Sequence, residues 1–277
     1  MAETLEDAVA RHYGITELTD RILQAMAAAG VDAERVAPEH LAPIDEFHIG
    51  GRAATVHAVA KMGLTAQDHV LDVGCGIGGA TRYIAATFGC RVTGIDLTPG
   101  YIAAAEELAR RTGLVGRVDY RIASALAMPF DAAAFDAAIT LHVAMNIKDR
   151  GTLYAEVARV LKPRAVFCIY DVMKGPTDQL RFPLPWAEVP ATSHLTTPQE
   201  MQGLLSDAGF QVETVEDRTR FAADFLRQGL AEGAAGAAPL GRHIVMGASA
   251  REKLQNLLVN VESGAVLPTV MIARRLA

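Results

Sequence analysis

Four glycines and two acids carry the first chemical signal in this chain. In residues 70–79, VLDVGCGIGG, Gly74, Gly76 and Gly79 satisfy G-x-G-x-x-G and Gly78 adds a further glycine. Residues 70–73 read as a short apolar strand and 80–88 as a helix. The loop between them therefore brings backbone and a helix N-terminus to one point, a site suited to a nucleotide-like or anionic ligand. Asp96 lies 22 residues beyond Gly74 at the end of the next strand, where a carboxylate can accept from ribose hydroxyls. Asp72 sits inside the first strand, and a buried carboxylate needs a partner; it either caps the loop or meets a cation on the ligand.

A second group of residues could serve an acceptor molecule. His142 follows the fourth expected strand, where it should face the pocket with Leu141 and Asn146. It is either a general base or an orienting contact. Tyr170 and Asp171 end the fifth strand, at the rim where open α/β sheets bind ligands. His48 lies in DEFHIGGR, residues 45–52, and Trp186 in PLPWAE. The first segment reads as an interhelical loop or as a flap over the site; Trp186 reads as a substrate wall or as cap packing. His194 is a weaker candidate of the same kind. His12, His40, His57, His69 and His243 show no metal-ligand spacing, so no metal is expected.

The elements that must position these residues follow from periodicity. Residues 16–29 carry Leu18, Ile22, Ala25 and Met26 at helical spacing and stop at Gly30. Pro38 and Pro43 mark a turn-rich stretch. From residue 70 strands and helices alternate as βαβ units do: strands at 91–95, 118–122, 135–140 and 165–171, with helices at 98–111 and 149–161 between them. Thr98 and Pro99 are the N-cap and first position of one helix, and Thr197-Pro198-Gln199-Glu200 is a capping box for another. Strands at 210–215 and 266–273 close the chain, separated by a mostly helical stretch, 220–261, with an Ala/Gly-rich break at 232–238. The expected fold class is α/β: a Rossmann-like, seven-stranded, mostly parallel sheet with its last strand antiparallel. Residues 1–62 form a helical N-terminal flap, and 63–277 the main domain with cap segments 173–196 and 217–262.

Composition narrows the class. The chain has 277 residues, 51% hydrophobic, enough for a sizeable core. A formal net charge of −6 without any Lys/Arg cluster argues against nucleic acid as a partner. Three cysteines, Cys75, Cys90 and Cys168, with no C-x-x-C fit a reducing compartment. No signal peptide and no membrane-spanning run is evident, so a soluble cytoplasmic protein with no membrane partner is expected.

Together, VLDVGCGIGG, TGIDLT, ALAMPF followed by FDAAIT, LHVAMNI and EVARVLKP resemble the class I S-adenosylmethionine-dependent methyltransferases. The resemblance spans about residues 45–215 and is nearest the small-molecule branch that includes the sarcosine/dimethylglycine and sterol or tocopherol enzymes. It implies S-adenosyl-L-methionine as cofactor, S-adenosyl-L-homocysteine as product, a small-molecule acceptor with an N-, C- or O-nucleophile, and a homodimer as the expected assembly. It implies that Asp72, Gly74, Cys75, Gly76 and Gly78 surround the methionine end and Asp96 and Leu97 the ribose and adenine. Ser124, Ala125 and Leu141 would complete that site, with His142 catalytic and His48, Tyr170 and Trp186 on the acceptor.

Two departures stand out. The family commonly has Asp, accepting from the adenine amino group, where this chain has Ser124, an uncharged and weaker acceptor. Ser124→Asp is therefore expected to tighten cofactor binding. The usual Pro-Gly-Gly turn before the fifth strand is Pro163-Arg164-Ala165, which lacks a residue suited to positive φ. Two other readings compete: an NAD(P)-linked oxidoreductase, permitted by the glycine motif alone, and a cofactor-binding protein without catalysis. The acceptor leans apolar from the Leu, Phe, Trp and Pro content of 180–195, and towards an amine from the sarcosine-type resemblance.

Overall fold

The computed structural model describes residues 4–14, 17–32, 36–177, 179–235, 240–241, 243–247 and 249–277. Seven strands form one sheet: β1 His69–Val73, β2 Arg91–Asp96, β3 Val118–Ile122, β4 Phe135–Leu141, β5 Leu161–Lys174, β6 Phe210–Asp217 and β7 Val266–Arg275. Their order is β3-β2-β1-β4-β5-β7-β6. The first five run parallel, and β7 lies antiparallel between β5 and β6. The chain reverses its direction of travel across the sheet between β1 and β4, which opens a crevice at their C-terminal ends.

β5 shows why the sheet sits in the middle of the molecule. Residues 165–173 are all buried, and their side chains alternate between two cores. Phe167, Ile169 and Met173 join Leu153, Tyr154 and Val157 of α7 (Arg150–Val160) and Met201 and Leu205 of α8 (Pro198–Asp207). Val166, Cys168 and Tyr170 face the opposite core, which holds Ile84 of α5 (Gly79–Phe88) and Ala54, Ala58 and Val59 of α4 (Gly51–Val59). Each large apolar side chain so buried stabilises the fold by about 1.5–3 kcal/mol.

The N-terminal helices have no core of their own. Leu18, Ile22 and Met26 of α2 (Leu18–Ala28) and Leu41 and Ile44 of α3 (Pro38–Asp45) pack on Tyr101, Ala104 and Leu108 of α6 (Pro99–Arg111). The stretch expected to be turn-rich is thus a helix. Pro38 sits at its start, where no N–H is needed, and a two-turn helix loses little hydrogen bonding at Pro43. A further helix, α1 (Leu5–Tyr13), opens with a capping box between Thr4 and Asp7. On the other side, α9 (Thr219–Ala235) and α11 (Ala250–Glu262) pack with Leu184 and Trp186 into a separate apolar cluster. A short helix, α10 (His243–Met246), precedes α11. Residues 236–238 of the expected Ala/Gly-rich break, and Thr16 of the first expected helix, lie outside the described residues.

An irregularity near the start of β5, where the register with β4 shifts, keeps the left-handed residue without glycine: Arg164 has φ of 67°. Its side chain is exposed, while its backbone carbonyl accepts from Arg274 at 3.1 Å. Arg164→Gly keeps that bond and removes the Cβ strain, so it should stabilise the protein by about 1 kcal/mol. Denaturant unfolding would show this as a raised midpoint at unchanged slope.

Candidate functional site

The crevice holds a cavity of about 430 Å³. Asp96 anchors one end of it. One carboxylate oxygen accepts from Gly76 N–H at 3.0 Å and the other from Thr98 N–H at 2.9 Å. The carboxylate thereby ties the glycine loop to the start of α6, whose Thr98 side chain makes no cap of its own. Burial pushes the Asp96 pKa up, against the two N–H donors.

The glycine loop is bound to protein more than the sequence suggests. Gly74 and Cys75 N–H both donate to the Ile95 carbonyl, at 2.8 and 2.9 Å, and Gly78 N–H donates to Cys75 at 2.9 Å. Few loop N–H groups are thus left to face a ligand, and the first turn of α5, with Ala80 on the cavity wall, supplies the positive helix end. Gly74 has φ of 75°, and a Cβ there would fall 2.4 Å from Val143. Gly78 does not line the cavity; its missing Cβ makes room for the Tyr120 hydroxyl, which would be 2.4 Å away.

Asp72 takes the capping role left open by the sequence and also faces the cavity. It lines the cavity, yet its carboxylate also accepts from the Thr81 hydroxyl at 2.6 Å and from the Thr81 backbone N–H, capping α5. Burial raises its pKa to about 7, with the Asp96 and Glu46 charges adding to the shift.

Residues 45–52, read as an interhelical loop or a flap over the site, are a largely buried strap across the glycine loop: Asp45 is 5%, Glu46 2% and His48 8% exposed. Asp45 pairs with the wholly buried Arg82 of α5, and Glu46 accepts from Arg52 and from the Thr55 hydroxyl. Burial works against the Arg82 charge, but Asp45 and Tyr120 more than offset it and hold its pKa above the usual range. His48 is turned to Thr55, with Nε2 3.2 Å from the hydroxyl oxygen, and lines the cavity with Phe47 and Ile49.

His142 lines the cavity with its neighbours Leu141 and Val143. Its backbone is left-handed, with φ of 56°, and its N–H donates to the Tyr170 carbonyl at 2.7 Å. Nε2 is buried and has no hydrogen-bond partner among the described residues. Burial, then the neighbouring His48, drives its pKa well below the usual histidine value, so the ring is neutral. Tyr170 does not reach the cavity. It lies behind His142, ring centres 4.7 Å apart, because strand alternation turns it towards the α4 side of the sheet. Asp171 is likewise outside, accepting from the backbone of Val172, Ala144 and Met145, and so holds the turn after His142.

Beyond His142 the wall is Ile49, Met145, Pro185, Trp186, Leu226, Leu254 and Leu257. Trp186 is 3% exposed, with its indole N–H donating to Ser193 at 2.9 Å. Lys253 also lines this end and pairs with Glu188 at 2.5 Å. A lysine in an amphipathic helix gives no sequence signal of an inward position. His194 is not on the wall; its N–H donates to Met145 at 2.9 Å.

Cys75, Leu97 and Ala125 line the other end of the cavity, with Ala123 and Leu126. Ser124 does not line it. Its hydroxyl donates to the Glu6 carboxylate of α1, and its oxygen accepts from Leu126 N–H at 3.0 Å. Glu6 itself is on the wall with Thr4 and Val9. Sequence reasoning missed Glu6, since an acid in an N-terminal helix has nothing that links it to a residue 118 positions away.

A family model described as "Methyltransferase domain" matches residues 71–169, the segment from β1 to β5. The chain carries a methyltransferase domain of the class I S-adenosylmethionine-dependent family. Among curated proteins, the O-methyltransferase resE of Aspergillus sclerotiorum is 32% identical over 177 residues, which is 61% of this chain and 66% of that protein. The chain spans 66%, 54% and 30% of the length of the first curated relatives it matches. Among solved structures, the [4+2]-cyclase SpnF aligns with a TM-score of 0.71 and 22% identity over 100% of this chain and 98% of its own. Geranyl diphosphate C-methyltransferase from Streptomyces coelicolor A3(2) aligns with 0.73 and 20% over 99% of each. These structural likenesses establish the fold, and none of these relatives is named as an oxidoreductase. No helix among the described residues is long and apolar enough to cross a membrane.

The donor set of the methyltransferase domain fits its family's cofactor. Asp96 retains lone pairs for a ribose diol, the α5 N-terminus suits a carboxylate, and Asp72 suits an ammonium. Since the Asp72 pKa is raised, ionising this group costs stability as pH rises towards 7, and a bound ammonium favours the ionised form. S-adenosylhomocysteine affinity should therefore fall about tenfold from about pH 7 to about pH 5.5. In Asp72→Asn, calorimetry should find weaker binding with that slope flattened.

Proposed function

We propose that this protein transfers a methyl group from S-adenosylmethionine to the hydroxyl of a small, largely apolar molecule. The observation that carries the reading is the place of His142. Its buried imidazole lines the same cavity as Asp72, Asp96 and the apolar wall of Met145, Trp186 and Leu257, with Nε2 left without a partner among the described residues and burial favouring the neutral ring.

When bound, the cofactor supplies an electrophilic methyl on a sulfonium. Asp96, Asp72 and the α5 N-terminus would hold that cofactor, and the buried strap with Trp186 and Leu257 would exclude water from the acceptor. With the cofactor bound, His142 Nε2 would accept the hydrogen bond of the acceptor hydroxyl and take up its proton as the oxygen gains the methyl, the electrons of the broken carbon–sulfur bond leaving with S-adenosylhomocysteine. Tyr170 packs behind the ring and holds its orientation.

A hydroxyl is favoured over a cationic amine by the charges. Of the acids on the cavity wall, Asp45 and Glu46 are tied to Arg82, Arg52 and Thr55, Asp149 accepts from Thr152 and caps α7, and Glu6, Asp72 and Asp96 belong to the cofactor end; Glu188 is paired with Lys253. No carboxylate among the described residues is placed to hold an ammonium at the apolar end. The fold alone does not fix the reaction, since one structural neighbour is named as a cyclase.

The test is transfer from methyl-labelled S-adenosylmethionine to a panel of phenols, enols, amines and isoprenoid alkenes, with the product bond assigned by NMR. The reading expects methyl ethers. It also expects His142→Ala to lower turnover by about 100-fold or more while S-adenosylhomocysteine affinity stays within about threefold. Methylation at nitrogen or carbon, or cofactor binding with no transfer to any class, would contradict it.

A further inference from the structure

The cavity has an acid that the methyltransferase reading does not use. Glu6 comes from α1, far from the glycine loop in sequence, yet its carboxylate lies on the cavity wall beside Ala123, Ala125 and Leu126. Ala123 N–H donates to the Asp96 carbonyl at 3.1 Å, so this wall continues directly from the acid that suits a ribose. A nucleoside whose diol meets Asp96 extends its base along that wall, between apolar side chains with Leu97 and Val9. The polar pair beside it is Glu6 on the wall and Ser124 behind it; Thr4, Lys148 and Asp149 also line the cavity, with Asp149 engaged by Thr152.

The hydrogen-bond directions decide which of the two can recognise a base. Ser124 has one hydroxyl proton, and it goes to Glu6; its oxygen already accepts from Leu126 N–H. Glu6 is the acceptor of that pair, and a carboxylate has two oxygens with room for further donors. Glu6 is held in place from both sides: Ser124 grips the side chain, and the Thr4–Asp7 capping box fixes the first turn of α1, with Thr4 N–H donating to Asp7 at 3.1 Å and Asp7 N–H to Thr4 at 3.1 Å.

We propose that Glu6 is a cofactor-binding residue that accepts from the exocyclic amino group of the adenine, so that the N-terminal helix closes the nucleoside end of the site. The inference rests on the cofactor assignment above. It reverses the expectation for Ser124→Asp: a second carboxylate beside Glu6 repels it and loosens α1, so this change alone does not tighten binding. The serine is the partner that admits an acid from elsewhere in the chain.

The test is calorimetric binding of S-adenosylhomocysteine and of its 6-oxo analogue, S-inosylhomocysteine, which lacks the amino donor. The wild-type protein should prefer the amino form by about tenfold or more, the worth of one charge-assisted hydrogen bond. Glu6→Ala should lose that preference while binding the 6-oxo form within about threefold of wild type. Glu6→Ala/Ser124→Asp should regain the preference, a rescue that a merely structural role for Glu6 would not give. Equal discrimination in wild type and Glu6→Ala, or equal weakening of both ligands, would overturn the proposal. Failure of the wild-type protein to bind either ligand would instead refute the cofactor assignment.

Discussion

A buried carboxylate at the end of β2 is the constraint around which the site is built. Asp96 joins the glycine loop and the first turn of α6 through one backbone N–H from each. Without it both N–H groups would be unsatisfied, at a cost of about 1–3 kcal/mol each. Parallel pairing of β1 with β2 and β4 brings the carboxylate to the mouth of the crevice. The loop is therefore set before a ligand arrives, with its N–H groups engaged by Ile95, Asp96 and Cys75. A ligand meets a finished surface.

The roof depends on a second set of buried charges. Asp45–Arg82 and Glu46–Arg52 fasten the strap over α5 and the loop. Buried ion pairs contribute little net stability, and their removal from one side is far more costly than their presence is favourable. What they supply here is position: Phe47, His48 and Ile49 line the cavity between Asp45 and Glu46 on one side and Arg52 on the other, which these pairs fix. The apolar acceptor end, by contrast, is an apolar cluster of Trp186, α9 and α11, with polar ties such as Trp186 to Ser193 and Arg227 to Glu262 at its edges.

The sheet, α6 and α8 were legible because their signals are local. Alternation along a strand, a proline at the first helical position and a capping box act within a few residues. Asp96 was legible for the same reason, being set by strand end and spacing. The strap was not: Asp45, Glu46 and Arg52 read as a polar loop because their burial depends on Arg82, 37 residues away from Asp45. Tyr170 read as a rim residue because the end of a strand is visible in sequence and its facing is not. Glu6 and Lys253 were invisible, since each is an ordinary surface residue by type and only tertiary packing turns it inward.

The central claim is that this cavity binds S-adenosylmethionine through Asp96. The most direct measurement is calorimetric titration of wild-type protein and Asp96→Ala with S-adenosylhomocysteine and with NADH. The account predicts saturable binding of S-adenosylhomocysteine, at least tenfold weaker in the variant, and none of NADH. Equal affinity in the two proteins, or binding of NADH in place of S-adenosylhomocysteine, would contradict it.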